Sequence, residues 1–82
     1  MLILREEKII DNDNIIGSNI RRIRLEKGIG QTELVKQLQL MDVDITRETL
    51  VKIESGKQHI KLEQLVEVRK IFQTNYMDIL EK

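Results

Sequence analysis

Residues Gln31–Gly56, QTELVKQLQLMDVDITRETLVKIESG, decide the fold. They read as two short helices separated by a brief apolar–polar turn. Leu34, Val35 and Leu38 share one face of the first helix at the i, i+1, i+4 offsets of a 3.6-residue period, and Leu50 and Ile53 do the same for the second. Thr46 is placed to cap the second helix by accepting from the amide of residue 48 or 49. Gly56 is placed to end it in the left-handed conformation. Between the helices, Leu40 and Ile45 bracket Met-Asp-Val-Asp. This pair is expected to anchor the turn in the core while Asp42 and Asp44 face solvent. The exposed face of the second helix then carries Arg47, Glu48, Thr49 and Lys52 near its N-terminus. Such polar side chains at a helix start have the reach and the donors to touch base edges in a major groove.

Outward from this stretch, Asn14 is expected to cap a helix over Ile15 to Glu26, with Ile16, Ile20 and Ile23 inward. Arg21 and Arg22 on that helix are candidate phosphate contacts. Gly28-Ile29-Gly30 separates it from the next helix, where Glu33 is placed to reach back to the Gly30 amide. Gln31 and Thr32 occupy the first turn of that second helix, where free amides and the positive helix end favour a phosphate oxygen. After Gly56, the segment Lys57-Gln58-His59-Ile60-Lys61 reads as a polar loop with two candidate phosphate ligands, Lys57 and Lys61. A fourth helix is expected over Leu62 to Phe72, with Leu65, Val68 and Phe72 inward. A fifth follows, capped by Asn75 with Asp78 three residues on and with Tyr76, Ile79 and Leu80 on its apolar side.

The motifs Gln31-x-x-Leu34 and Thr46-Arg47-Glu48-Thr49-Leu50-x-x-Ile53-Glu54-x-Gly56-Lys57 resemble the helix-turn-helix of the Cro/lambda-repressor (XRE-type) regulators. Ile16-Gly17-x-Asn19-Ile20-Arg21-x-Ile23-Arg24-x-x-Lys27-Gly28 resembles the first helix of that family. The resemblance covers roughly residues 15–80. It implies an all-α, five-helix lambda-repressor-like domain whose second and third helices form the helix-turn-helix. It also implies that Gln31, Thr32, Thr46, Arg47, Glu48, Thr49, Lys52, Lys57 and Lys61 face DNA, and that Arg24 and Glu54 form a partly buried ion pair between the first and third helices. This chain departs from the family pattern at four points. The inter-helix turn is about five residues longer than the commonest form, Val35 stands where alanine is usual, and Gly30 replaces a Ser or Thr cap. Arg69 stands where a small residue is usual, so its guanidinium is expected to extend outward to solvent.

Composition bounds the alternatives. The 82 residues suit one small domain, with residues 1–14 read as an N-terminal arm and 15–82 as the DNA-binding domain. Leu2, Ile3, Leu4, Ile9 and Ile10 are many apolar groups for a free tail, so the arm is expected either to be partly ordered or to pack on this subunit or a partner. Asp11–Asn14 reads as a turn. With no cysteine, neither a disulfide nor a thiolate metal site is available, and no metal or cofactor is expected. No apolar run approaches 18 residues and no signal-peptide core is present, so a cytoplasmic protein without a membrane span is expected. The single histidine, His59, has no acidic partner or nucleophile at a known motif spacing and is expected at the surface. An enzyme is accordingly not expected.

Net charge is zero, but its distribution is uneven. Residues 1–14 carry two basic and four acidic groups, residues 15–61 nine basic and six acidic, and residues 62–82 three basic and four acidic. The reading that follows is a sequence-specific binder of double-stranded DNA. It would be a small repressor-like transcriptional regulator acting as a homodimer, because one unit covers only about half a duplex turn. The alternative is a protein-interaction module of the same fold, antitoxin-like or the N-terminal domain of a sensor, with weak or no DNA binding. Zero net charge and an acidic residue at Glu48 favour it.

Overall fold

The computed structural model describes the backbone of residues 2–5 and 8–82 and the side chains from Ile9 onward. It contains a β-hairpin, β1 (Leu2–Arg5) and β2 (Lys8–Asp11), followed by five helices. These are α1 (Ile15–Glu26), α2 (Gln31–Leu40), α3 (Arg47–Glu54), α4 (Leu62–Phe72) and α5 (Tyr76–Leu80). No strand lies within residues 15–80. The strands pair antiparallel, with Ile3 opposite Ile10 and Leu4 opposite Ile9. Strand β2 is tied to the helical core. The Ile9 amide donates to the Ile60 carbonyl at 2.9 Å, and the Ile9 side chain joins the core. Side chains of Leu2, Ile3 and Leu4 lie outside the described residues.

One hydrophobic cluster organises the helices. It takes Ile16, Ile20 and Ile23 from α1, Leu34, Val35 and Leu38 from α2, and Leu50 and Ile53 from α3. Leu65, Val68 and Phe72 come from α4, Ile79 from α5, and Val43, Ile45 and Ile60 from the connections. The isoleucines of α1 fall on one stripe because residues three and four apart share a helix face. α1 meets α3 closely at Gly17, where a methyl group would run into the Ile53 carbonyl and the Asn14 side-chain oxygen.

The first three helices end in the same way, and α4 repeats it at Gln73 (φ 54°), whose amide donates to Lys70 while that of Thr74 donates to Arg69. At the end of α1 the Gly28 amide donates to Leu25 and the Ile29 amide to Arg24. At α2, Asp42 donates to Gln39 and Val43 to Leu38, and at α3, Gly56 donates to Ile53 and Lys57 to Lys52. Each is a Schellman motif built on a left-handed residue: Gly28 at φ 68°, Asp42 at φ 63° and Gly56 at φ 80°.

The second of these motifs corrects the expected anchoring of the turn. Leu40 is 76% exposed, whereas Val43 and Ile45 are buried and Asp42 and Asp44 face solvent. Leu40 follows Leu38 by two residues, about 200° around the helix, and so points away from the core. Val43 takes its place because the residue after the left-handed one folds back over the last turn, here onto buried Leu38.

Other local expectations also give way. Asn14 adopts a left-handed φ of 52° and does not cap α1. The Asp11 carboxylate does so from one turn earlier, accepting from the amides of Ile15 at 2.9 Å and Ile16 at 2.5 Å. Asn14 Nδ2 instead reaches the Glu54 carbonyl and Ser18 Oγ, each at 3.3 Å. Glu33 does not reach back to Gly30; it accepts from Gln37 Nε2 at 2.9 Å. Arg69 does not extend freely into water. Its Nη1 donates to the Thr74 carbonyl at 3.4 Å and its guanidinium lies 5.0 Å from the centre of the Tyr76 ring, which leaves Tyr76 39% exposed.

Two buried polar side chains to which the sequence reading assigned no role tie the frame together. Asn19 Nδ2 donates to the carbonyls of Ile79 at 2.8 Å and Glu81 at 2.6 Å, fastening α5 to α1. Gln64 accepts from the Lys61 amide at 2.9 Å, starting α4, and donates to the Asp44 carbonyl at 3.3 Å. Both satisfy backbone groups that would otherwise be costly to bury. Among the described residues, no helix is long and apolar enough to cross a membrane.

Candidate nucleic-acid interface

α3 is a two-turn helix too short to hold itself, so its placement rests on its ends and its buried stripe. At its start, Thr46 Oγ1 accepts from the Thr49 amide at 3.1 Å and donates to Thr49 Oγ1 at 3.0 Å. At its end stands the Gly56 motif. Along its inner side Leu50, Ile53 and Glu54 are buried.

The Glu54 carboxylate takes both prongs of Arg24, from Nε at 2.8 Å and Nη2 at 2.9 Å, while Arg24 Nη1 donates to the Ile29 carbonyl at 3.0 Å. Both residues are about 6% exposed. The hydrogen bonds that Arg24 donates to Glu54, opposed by desolvation and reinforced by the Glu54 charge, hold its guanidinium above the usual arginine range. Gln31 Nε2 adds a third bond to the same carboxylate at 3.1 Å. The expected ion pair is thus present and fully bonded, and Gln31 is part of it. Its side chain locks the start of α2 to the end of α3.

The remaining candidate residues divide by what they touch. The amides of Gln31, Thr32 and Glu33 open α2 with no side-chain cap, since Gly30 has none to offer. Thr32 is exposed and Gln31 half-buried. On α3, Arg47 and Glu48 are exposed at the first turn. Lys52 Nζ lies 3.3 Å from Glu48 Oε1, one turn away, with both side chains in water. Thr49 is half-buried with its hydroxyl engaged by Thr46. Val51 is 40% exposed on the same helix, an apolar residue on the outer face to which the sequence reading assigned no role. Lys57 is exposed just past the Gly56 turn. Lys61 is half-buried at the start of α4, separated from Lys57 by the buried Ile60. Arg21 is exposed, whereas Arg22 is engaged by Glu26 at 2.6 Å.

The small cleft between α1, the end of α3 and residues 58–60 has a volume of only about 10 Å³. That is room for a single water and for no organic ligand. His59 lines it, and its Nδ1 accepts from the Asp11 amide at 3.3 Å, so the one histidine holds the hairpin. Comparison with protein-family models, with characterised proteins and with solved structures gives no significant match to this chain.

Proposed function

We propose that this protein binds double-stranded DNA sequence-specifically, as a small repressor-like transcriptional regulator working as a homodimer, with α2 and α3 as its helix-turn-helix. The observation that carries the reading is the mounting of α3. Capped at Thr46, stopped at Gly56 and bolted through Glu54 to α1 and α2, it turns Arg47, Glu48 and Lys52 outward at its first two turns. A helix held this way presents its N-terminal side chains to a groove with little conformational entropy left to lose. In this reading the open amides at Gln31–Glu33, the Thr32 hydroxyl, Lys57 and Lys61 meet phosphates and set the register. Arginine is suited to guanine O6 and N7, so Arg47 favours a G·C pair in each half-site.

The test is a contrast between two variants, measured by fluorescence anisotropy on duplexes enriched from a random library, at two salt concentrations. Arg47→Ala is expected to lose about 1–3 kcal/mol on the enriched site and to relax preference at one position. Lys57→Ala is expected to weaken all sequences alike and flatten the salt slope by roughly one unit. Equal loss from both variants on selected and random DNA would make Arg47 a phosphate contact only. Zero net charge and the Glu48–Lys52 pair, which neutralises part of the α3 face, favour a second reading. In that reading the same face binds a protein, and no sequence is enriched.

A further inference from the structure

The outer face of α3 carries one apolar side chain. Val51 is 40% exposed, between buried Leu50 and exposed Lys52. A β-branched residue gains nothing from a solvated helix position: its χ1 is restricted there and its methyls displace water without a partner. Its polar neighbours are occupied within the helix. Glu48 and Lys52 pair at 3.3 Å, Ser55 Oγ donates to the Lys52 carbonyl at 3.2 Å, and the Thr49 hydroxyl is bonded to Thr46. Arg47 and Val51 are the side chains of this face left without a hydrogen bond or ion pair among the described residues. At i and i+4 they are neighbours on the helix surface, with Cβ atoms about 5–6 Å apart.

Resting on the DNA-binding reading, we infer that Val51 is a specificity determinant that packs on the C5 methyl of a pyrimidine beside the guanine read by Arg47. Bases stack about 3.4 Å apart along a strand, so the spacing of the two side chains places that methyl within about two steps of the guanine. The methyl of thymine is the apolar feature of the major-groove edge, and a valine, with no donor or acceptor, discriminates through it alone. The same methyl is carried by 5-methylcytosine. Arg47 and Val51 together would read a guanine next to a methylated pyrimidine, while Glu48 and Lys52 satisfy each other.

The experiment starts from the duplex enriched by the full chain and replaces its thymines one at a time with deoxyuridine, which removes only the methyl. Wild type is expected to weaken about fourfold at one thymine per half-site, the worth of one buried methyl. Val51→Ala is expected to be indifferent there. Val51 is solvent-exposed, so the variant should melt with wild type, which circular dichroism checks. Replacing that thymine by cytosine and by 5-methylcytosine separates the two sources. Recovery with 5-methylcytosine shows that the methyl alone is read, and a preference for thymine adds readout of its base pair; either supports the contact. Indifference of wild type to every thymine replacement, or the same fourfold loss in Val51→Ala, overturns the inference while leaving DNA binding in place. Failure to enrich any sequence removes the DNA reading and the inference with it.

Discussion

Arg24 and Glu54 hold the arrangement of α1, α2 and α3, and both are buried. Removing one partner strands a charge in the core, so Arg24→Ala and Glu54→Ala are each expected to destabilise the fold by about 3–5 kcal/mol in urea titrations. Replacing both by apolar residues of similar size should cost much less than the two single losses added together. The pair raises the Arg24 pKa, so the arginine's share of this stability is complete below the ordinary arginine range and is lost only above it. Stability measured between neutral pH and pH 10 should therefore show no loss traceable to Arg24. Gly17 makes an independent demand. An added methyl would meet the backbone of α3, so Gly17→Ala is expected to cost at least the 1–3 kcal/mol of overpacking, roughly 4–8 °C in Tm per kcal/mol for a domain of this size. At Gly30 a methyl meets open space, and Gly30→Ser should raise stability by a few tenths of a kcal/mol by supplying the missing cap of α2. Thermal melts of the two variants side by side check both signs.

At the scale of elements, what is written locally in the sequence was legible. α1 and α4 begin and end where period and flanking residues place them, because isoleucine and leucine spacing and glycine stops are properties of a few adjacent residues. The caps at Thr46 and Asn75 were legible for the same reason. Asn14 was misleading because a better acceptor, Asp11, is brought to the same amides by a turn. The end of α2 was misleading because the left-handed residue there is Asp42, with no glycine to mark it. In the candidate site, exposure of Arg47, Glu48 and Lys52 could be read from the helix face, but Gln31 bonding to Glu54 depends on two elements meeting and has no sequence signature. The turn supplies a direct check. Leu38→Ala is expected to cost 2–5 kcal/mol, since Leu38 is fully buried, whereas Leu40→Ala should fall within about 0.5 kcal/mol of wild type. If denaturant midpoints of the two variants coincide, the placement of Val43 over α2 is wrong.

For the whole molecule, the open question is how apolar surface left over by one core is used. The hairpin has one β2 amide committed to Ile60, and β1 forms its outer edge. At the opposite end of the chain, α5 leaves Tyr76 39% and Met77 56% exposed, while Ile79 is buried and Leu80 packs against the core. α5 itself is fixed to α1 through Asn19, so the backbone that carries these side chains is held in place. An exposed apolar patch can pair with its own copy about a two-fold axis, and under the DNA-binding proposal such pairing would supply the second half-site. We expect the full chain to sediment as a dimer at tens of micromolar and to select inverted half-sites with centres about one duplex turn apart. Met77→Asp should shift it toward monomer without lowering its melting temperature by more than about 2–3 °C, since an exposed side chain holds little of the core. The same change should weaken binding to a two-half-site duplex far more than to an isolated half-site. A chain that sediments as a monomer both free and on DNA would remove the dimer. Dimerisation that survives Met77→Asp would move the contact away from α5, with the hairpin edge as the next surface to mutate.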